Sequence, residues 1–272
     1  MTNIEFQRGT IDAGGCVSGG WELIKPNYWM YFGMTILLFG VSLVVSCIPF
    51  LPILFQIFVV PAVTIGIFYT LFREMRGEPV EFGMMFKGFE KYVPAMVIGL
   101  INAIPQIILT VLSFAMNMGS IVAQILQQAG RGSRSNLAMQ TDAAPVIAGG
   151  LILVIVVGSI VFLLFSIAWG ITFFFALPIL AENDISAVDA IKLSASAGWS
   201  NIGGIIVLFI FEGLIALLGL IALCIGVFFV IPILFAANAF AYRQVFPLLV
   251  RQNFNMSPPP PAAYGSNFGS GM

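Results

Sequence analysis

Histidine is absent from this 272-residue chain, and charged residues make up only 8% of it. The lack of histidine removes the commonest general base near neutral pH and the commonest zinc ligand. Soluble domains carry about 25% charged residues, so a chain with so few charges predicts a surface that faces lipid. The net charge of −1 gives no electrostatic reason to expect nucleic acid as a partner.

Cysteine is also scarce. Cys16, Cys47 and Cys224 lie far apart and match no metal-binding spacing. The sequence contains no phosphate-binding glycine loop, no Gly-x-Ser-x-Gly turn and no His-Glu-x-x-His helix. We therefore assign no catalytic residue, no cofactor and no metal ligand, and an enzymatic function has no visible catalytic set.

Long apolar segments are what the chain has in abundance, with 60% hydrophobic residues and a mean hydropathy of +1.04. A helix needs about 20 apolar residues to cross the hydrocarbon core. Six segments meet this length, at residues 29–47, 53–72, 93–116, 145–181, 202–223 and 226–250. They predict an all-α, polytopic integral membrane bundle of six transmembrane helices in three hairpins. The fourth segment is longer than one crossing needs and must tilt or bend.

These segments define three regions of the chain. Residues 1–28 form an N-terminal interfacial segment, and residues 29–250 form the six-helix transmembrane domain with an external loop at 117–145. Residues 251–272, rich in Pro, Gly and Ser, are predicted to be a disordered tail. The proline run at 258–261 is either a spacer or a ligand for an aromatic groove.

Basic residues in short loops predict the orientation. One side of the membrane collects nine of them, whereas the other has Arg131 and Arg134. The distribution places both termini in the cytoplasm. The nine are Arg8, Lys25, Arg73, Arg76, Lys87, Lys91, Lys192, Arg243 and Arg251.

A repeated pattern precedes each hairpin, at residues 11–29, 80–94 and 185–204. In each copy, small and apolar residues lead to an aromatic residue, which is Trp21 in the first, Phe89 or Tyr92 in the second, and Trp199 in the third. The pattern predicts three interfacial amphipathic helices in which Trp21 and Trp199 are anchors at headgroup level. The alternative is that any loop entering a membrane has this composition.

Glu212 is an ionisable residue placed near the middle of the fifth segment. A bare carboxylate there is costly, so it is expected to be protonated or paired. It either forms a proton, cation or substrate site, or is hydrogen-bonded to another helix through Asn238, Asn102 or Gln106. Gln56 and Thr110 are further polar residues that either line a cavity with Glu212 or join helices.

Smaller features leave similar alternatives. Ser186 is a predicted helix N-cap with Asp189 at the third position. Glu182, Asp184 and Asp189 either bind a cation or lie on a solvated interfacial helix.

Cys47 and Cys224 are either a disulfide near the external face or packed thiols. Several segments contain a proline, which either breaks the helix, as in transporters, or only kinks it. These prolines are Pro61, Pro94, Pro105, Pro178 and Pro232.

Two motifs carry a family resemblance. The first is Glu182 followed by Ala190-Ile191-Lys192 and Ser194, and the second is GGWELIKPNYW at residues 19–29. Together they resemble bacterial multi-pass families of unknown function, including the membrane domain that accompanies some glycerophosphodiester phosphodiesterases. The resemblance implies a protein of the bacterial inner (plasma) membrane. It transfers no active site, because the catalytic domain of that family is a separate soluble unit.

The functional hypothesis from sequence is a non-enzymatic scaffold or accessory protein. Its expected partners are the lipid bilayer and either another membrane protein or a second copy of this chain. The alternative hypothesis is a small-molecule or ion transporter or channel built around Glu212.

Overall fold

The computed structural model describes residues 4–48, 51–130, 144–221 and 226–247, and within these ranges the elements are helices without strands. Two 3-10 helices, Lys25–Asn27 and Phe82–Lys91, accompany the α-helices. The α-helices are α1 Ala13–Ile24, α2 Tyr28–Ser46, α3 Leu51–Phe58, α4 Val60–Met75, α5 Tyr92–Asn102, α6 Ile104–Gly130, α7 Ala144–Phe173, α8 Ala176–Glu182, α9 Ala187–Ser200, α10 Ile202–Ile221 and α11 Gly226–Val245.

Six helical stretches are long and apolar enough to cross a membrane, which confirms the predicted helical membrane bundle. The first stretch joins α1 and α2 through the short 3-10 helix, and the second joins α3 and α4. The six are Ala13–Ser46, Leu51–Met75, Ile104–Val122, Val156–Glu182, Ile202–Ile221 and Gly226–Val245.

Three pairs of consecutive helices are separated just before a proline. α3 and α4 are separated at Val59, α5 and α6 at Ala103, and α7 and α8 at residues 174–175. Proline cannot donate a backbone hydrogen bond, and its ring clashes with the carbonyl four residues earlier. Pro61, Pro105 and Pro178 each follow one of these breaks. The bend expected in the overlong fourth segment is the break between α7 and α8.

The predicted loop at residues 117–145 is helical at both ends instead. α6 continues to Gly130 and α7 begins at Ala144, while residues 131–143 lie outside the described ranges. Its polar residues suggested a loop, but they alternate with exposed apolar residues such as Met118, Ile121 and Ile125. A helix places these two sets on different faces, and the amphipathic pattern therefore continues the helix.

The N-terminal segment is built into the bundle as α1. Ala13, Cys16, Gly20 and Ile24 are buried, and they lie at helical spacing on one face. Gly20 contacts the backbone of α11 at residues 236–237. The first helix therefore packs on the last helix described.

The three repeated segments make the same contact. Gly20, Gly88 and Gly198 each press against the backbone of a neighbouring helix, so closely that a β-carbon at any of them would clash with backbone atoms. Their backbone neighbours lie at Ala236 and Ala237 for the first, at Ala62 for the second and at Ile171 for the third. The three residues that follow these glycines are aromatic and exposed, and they are Trp21, Phe89 and Trp199.

The geometry agrees with the predicted three-fold repeat and identifies Phe89 as the aromatic residue of the second copy. It also refines the interfacial prediction, since one edge of each segment is packed against the bundle and the aromatic residue is exposed. α1 lies on α11, the 3-10 helix Phe82–Lys91 lies on α4, and α9 lies on α7.

Alanine at the contact glycines is expected to destabilise the bundle. Gly88→Ala and Gly198→Ala each force a methyl group into backbone atoms, and overpacking of this kind costs about 1–3 kcal/mol. Thermal unfolding in detergent measures the effect. The matched control is Gly213→Ala in α10, where the added methyl group meets nothing within 4 Å. Equal melting temperatures for all three variants would contradict the packing described.

Candidate functional site

Glu182, at the end of α8, is the centre of a charged cluster. It accepts hydrogen bonds from Arg243 Nη1 at 2.8 Å and Nη2 at 2.6 Å, and from the Tyr242 hydroxyl at 2.9 Å. Arg76 Nη1 of α4 lies 3.9 Å from the same carboxylate. The Arg243 guanidinium stands 4.5 Å from the ring centre of Phe72. This cluster joins the ends of α4, α8 and α11.

Two further carboxylates extend the cluster. Glu78 accepts a hydrogen bond from Arg76 at 2.6 Å and one from Arg73 at 2.7 Å. The bond from Arg76 contributes most to holding the pKa of Glu78 below its usual value. Asp184 lies 2.8 Å from Lys91, and the hydrogen bond from that ammonium lowers the pKa of Asp184.

Lys91 also closes the end of α8. Its ammonium donates to the backbone carbonyls of Leu180 at 2.7 Å and Asn183 at 3.0 Å. The last carbonyls of a helix have no partner within the helix, and a lysine there satisfies them and interacts favourably with the helix dipole. Lys91 therefore fixes the position of the second repeated segment against α8.

The three acidic residues considered as a cation site are engaged separately. Glu182 pairs with Arg243, Asp184 pairs with Lys91, and Asp189 shares the N-cap of α9 with Ser186. The Ser186 hydroxyl accepts from the Asp189 N–H at 3.1 Å, which confirms the predicted cap. Within the described ranges, no group of three or more Asp, Glu, Cys or His side chains is placed to hold a metal ion.

α9 satisfies the backbone at the break between α7 and α8. The Ser194 hydroxyl donates to the Thr172 carbonyl at 2.7 Å and accepts from the Phe175 N–H at 3.1 Å. Trp199 Nε1 donates to the Thr172 hydroxyl at 3.2 Å. The predicted anchor Trp199 therefore also contacts α7 next to the break. The exposed anchor Trp21 packs edge-on against Tyr28, with 5.7 Å between the ring centres.

The four residues of the predicted intramembrane site lie in two places. Asn238 of α11 lies beside the Glu212 carboxylate of α10. Glu212 Oε1 and Asn238 Oδ1 are buried and have no hydrogen-bond partner among the residues that the structure describes. The two side chains therefore lie together across the last hairpin, and a hydrogen bond between them remains a prediction.

Asn102 and Gln106 instead line a cavity beside the break between α3 and α4 and the break between α5 and α6. The cavity has a volume of about 570 Å³, and Gln56 and Thr110 complete its polar lining. Glu212 is not among the described residues that line it. This cavity therefore brings Asn102 and Gln106 together with Gln56 and Thr110, and not with Glu212.

A polar stripe along α6 was missed by the sequence analysis. It consists of residues spaced alternately three and four apart, all of them exposed, and we call it the α6 seam. This spacing keeps them on one face of the helix. Asn117 Nδ2 donates to the Ser113 carbonyl at 2.8 Å, and the Ser120 hydroxyl donates to the Asn117 carbonyl at 2.7 Å. The seam comprises Gln106, Thr110, Ser113, Asn117, Ser120 and Gln124.

The remaining predictions on cysteine pairing and on the tail involve residues outside the described ranges. Cys224 and residues 258–261 belong to this group, as do Arg131 and Arg134. Cys47 is exposed and carries a free thiol.

Comparison of the chain with protein-family models, with curated proteins and with solved structures gives no match in any of the three. The charged cluster, the cavity and the α6 seam are therefore the features from which a function can be inferred.

Loss of the Glu182 pairing is expected to destabilise the protein. Glu182→Gln removes charge-assisted hydrogen bonds from Arg243, and such bonds contribute about 1.5–3 kcal/mol each at partly buried sites. Arg243→Lys is expected to show a smaller loss, because the ammonium keeps the charge but not the two-point geometry. Thermal unfolding in detergent measures both. Glu90→Gln, at an exposed position, is the control, and a loss as large as that of Glu182→Gln would refute the assignment.

Proposed function

We propose that this multi-pass membrane protein is a non-enzymatic scaffold or accessory protein that binds a transmembrane helix of its partner through the α6 seam. The observation that carries the proposal is the row of exposed hydroxyl and amide side chains along α6. The partner is another membrane protein or a second copy of this chain.

The physics of lipid supports this assignment. Lipid tails offer no hydrogen bonds, so polar side chains on a membrane helix favour contact with another helix. Each interhelical hydrogen bond of this kind contributes about 0.6–2 kcal/mol. An average spacing of 3.5 residues is the period at which two helices pack with a left-handed crossing. The seam therefore has both the chemistry and the period of a helix-binding surface.

The rest of the bundle supports a static role. Transport by alternating access needs bodies that rock against each other. Here the glycine contacts bring backbones together in all three units, and the Glu182 cluster ties α4, α8 and α11 at one end. The alternative carrier built around Glu212 loses support, because the cavity does not extend to that side chain.

Crosslinking through the seam tests the proposed function. In a variant whose native cysteines are replaced, Asn117→Cys is expected to form a disulfide-linked dimer in native membranes when two copies meet at the seam. Val122→Cys, on a different face of α6, is the matched control. If the partner is another protein, affinity purification with mass spectrometry of proteins and lipids is expected to recover it at constant stoichiometry from the wild type and from Val122→Leu, but not from the Asn117→Leu, Gln124→Leu double variant.

The outcomes separate the hypotheses. A dimer at Asn117→Cys identifies a homo-oligomer, and a seam-dependent protein identifies an accessory role. Recovery of the same proteins from the double variant, with no crosslink at Asn117→Cys, would remove the support for a seam-mediated scaffold.

We also propose that the charged cluster faces the cytoplasm of a bacterial cell. The excess of basic residues on that side and the resemblance to bacterial membrane families support this orientation. In the variant whose native cysteines are replaced, a membrane-impermeant maleimide added to intact cells is expected to label Ser133→Cys, in the predicted external loop. Glu90→Cys, next to Lys91, is expected to react after permeabilisation. The reverse labelling pattern would invert the proposed topology.

A further inference from the structure

The cavity at the helix breaks has the size and lining of a ligand site. Its volume of about 570 Å³ lies within the range of about 300–1,000 Å³ that is usual for small-molecule pockets. The polar lining consists of the amide side chains of Gln56, Asn102 and Gln106 and the hydroxyl of Thr110. Among the described residues, the three amides form no hydrogen bond with any other side chain or backbone group.

The lining restricts the charge of a ligand. None of the described lining residues is ionisable. The cavity lies between helices that are apolar enough to span a membrane, where an unpaired charge is costly. A side-chain amide has an acceptor oxygen and two donor hydrogens. The group that matches several amides without bearing a charge is a hydroxyl or an amide, because each donates and accepts.

The surroundings of the cavity indicate an amphiphile. Ile53, Val60 and Ile107 form part of its wall. Leu54, Ile104 and Ile108, next to lining residues in the chain, are large apolar side chains exposed at the surface of the bundle. A molecule with an uncharged polar head and an apolar chain contacts both kinds of surface at once.

We infer that this cavity binds the uncharged, hydroxyl-bearing head of an amphiphilic lipid of the diacylglycerol type. The amides of Gln56 and Asn102 hold the head, and the acyl chains lie on the adjoining apolar surface. A free neutral polyol is the other source of the same chemistry.

The break in each helix makes the cavity possible. Pro61 has no N–H to donate to the Ile57 carbonyl, so the helix opens between α3 and α4. Gly99 of α5 lies against that carbonyl and the Pro61 ring, and a β-carbon at Gly99 would stand 2.6 Å from each. This contact closes the wall of the cavity beside Asn102 and keeps the two breaks together.

Gln106 and Thr110 belong to both the cavity and the α6 seam, but other residues separate this inference from the scaffold proposal. Gln56 and Asn102 lie on α3 and α5, outside the α6 seam, whereas Asn117 belongs to the seam and does not line the cavity among the residues described. Asn102→Leu is therefore expected to retain the partner and lose the ligand, and Asn117→Leu is expected to do the reverse.

Photolabelling of the full-length protein tests the inference. The protein is placed in phosphatidylcholine nanodiscs with a diacylglycerol that carries a diazirine in one acyl chain, and labelled peptides are mapped by mass spectrometry. Label is expected in α3 and α6, where Leu54, Ile104 and Ile108 adjoin the cavity, and is displaced by unlabelled dioleoylglycerol. Asn102→Leu and Gln56→Met are each expected to weaken that competition about three- to twentyfold, as the loss of one hydrogen bond in a membrane predicts.

Each result has a defined meaning. Displacement by glycerol alone assigns the site to a free polyol, which has the same hydroxyl chemistry. Equal displacement by phosphatidylglycerol overturns the assignment to an uncharged head. Unchanged labelling in Asn102→Leu and Gln56→Met, at wild-type melting temperatures, shows that the amides hold no ligand and overturns the inference. Asn117→Leu is the matched control and is expected to label as the wild type does.

Discussion

In lipid, every polar group of a protein has to find its hydrogen-bond partner within the protein itself. The structure meets this requirement most visibly where its helices are interrupted. Ser194 satisfies both sides of the break between α7 and α8, and Lys91 satisfies the last carbonyls of α8. The polar groups that remain without a partner are then informative. Among the described residues they include the cavity amides and one oxygen each of Glu212 and Asn238, while Thr110, Asn117 and Ser120 of the α6 seam bond only to their own helix.

Much of the fold was predictable from the sequence because each helix carries its own signals. Apolar length identifies the spans, and the Ser186 cap marks the start of α9. The repeated glycine–aromatic pairs identify the three packed segments. The break between α7 and α8 follows from a segment too long for one crossing, with Pro178 near its end.

The candidate site was less predictable, because it depends on which faces of distant helices meet. Glu182 and Arg243 are 61 residues apart, and nothing local indicates their pairing. Glu212 and Asn102 are both polar residues within apolar segments, yet they occupy different places in the bundle. The α6 seam could be predicted from the alternating spacing of three and four residues between its polar side chains. Its Ser, Asn and Gln content is also typical of a loop, and only the helical period distinguishes the two.

The packing of α1 on α11 has a consequence for biosynthesis. A chain made from its N-terminus inserts α1 long before the ribosome reaches α11. Until then the face of α1 that carries Gly20 has no protein surface to rest on. α1 therefore acquires this neighbour only after every helix between α1 and α11 has been made. A chaperone or insertase that shields α1 during this interval would act on a single, early surface.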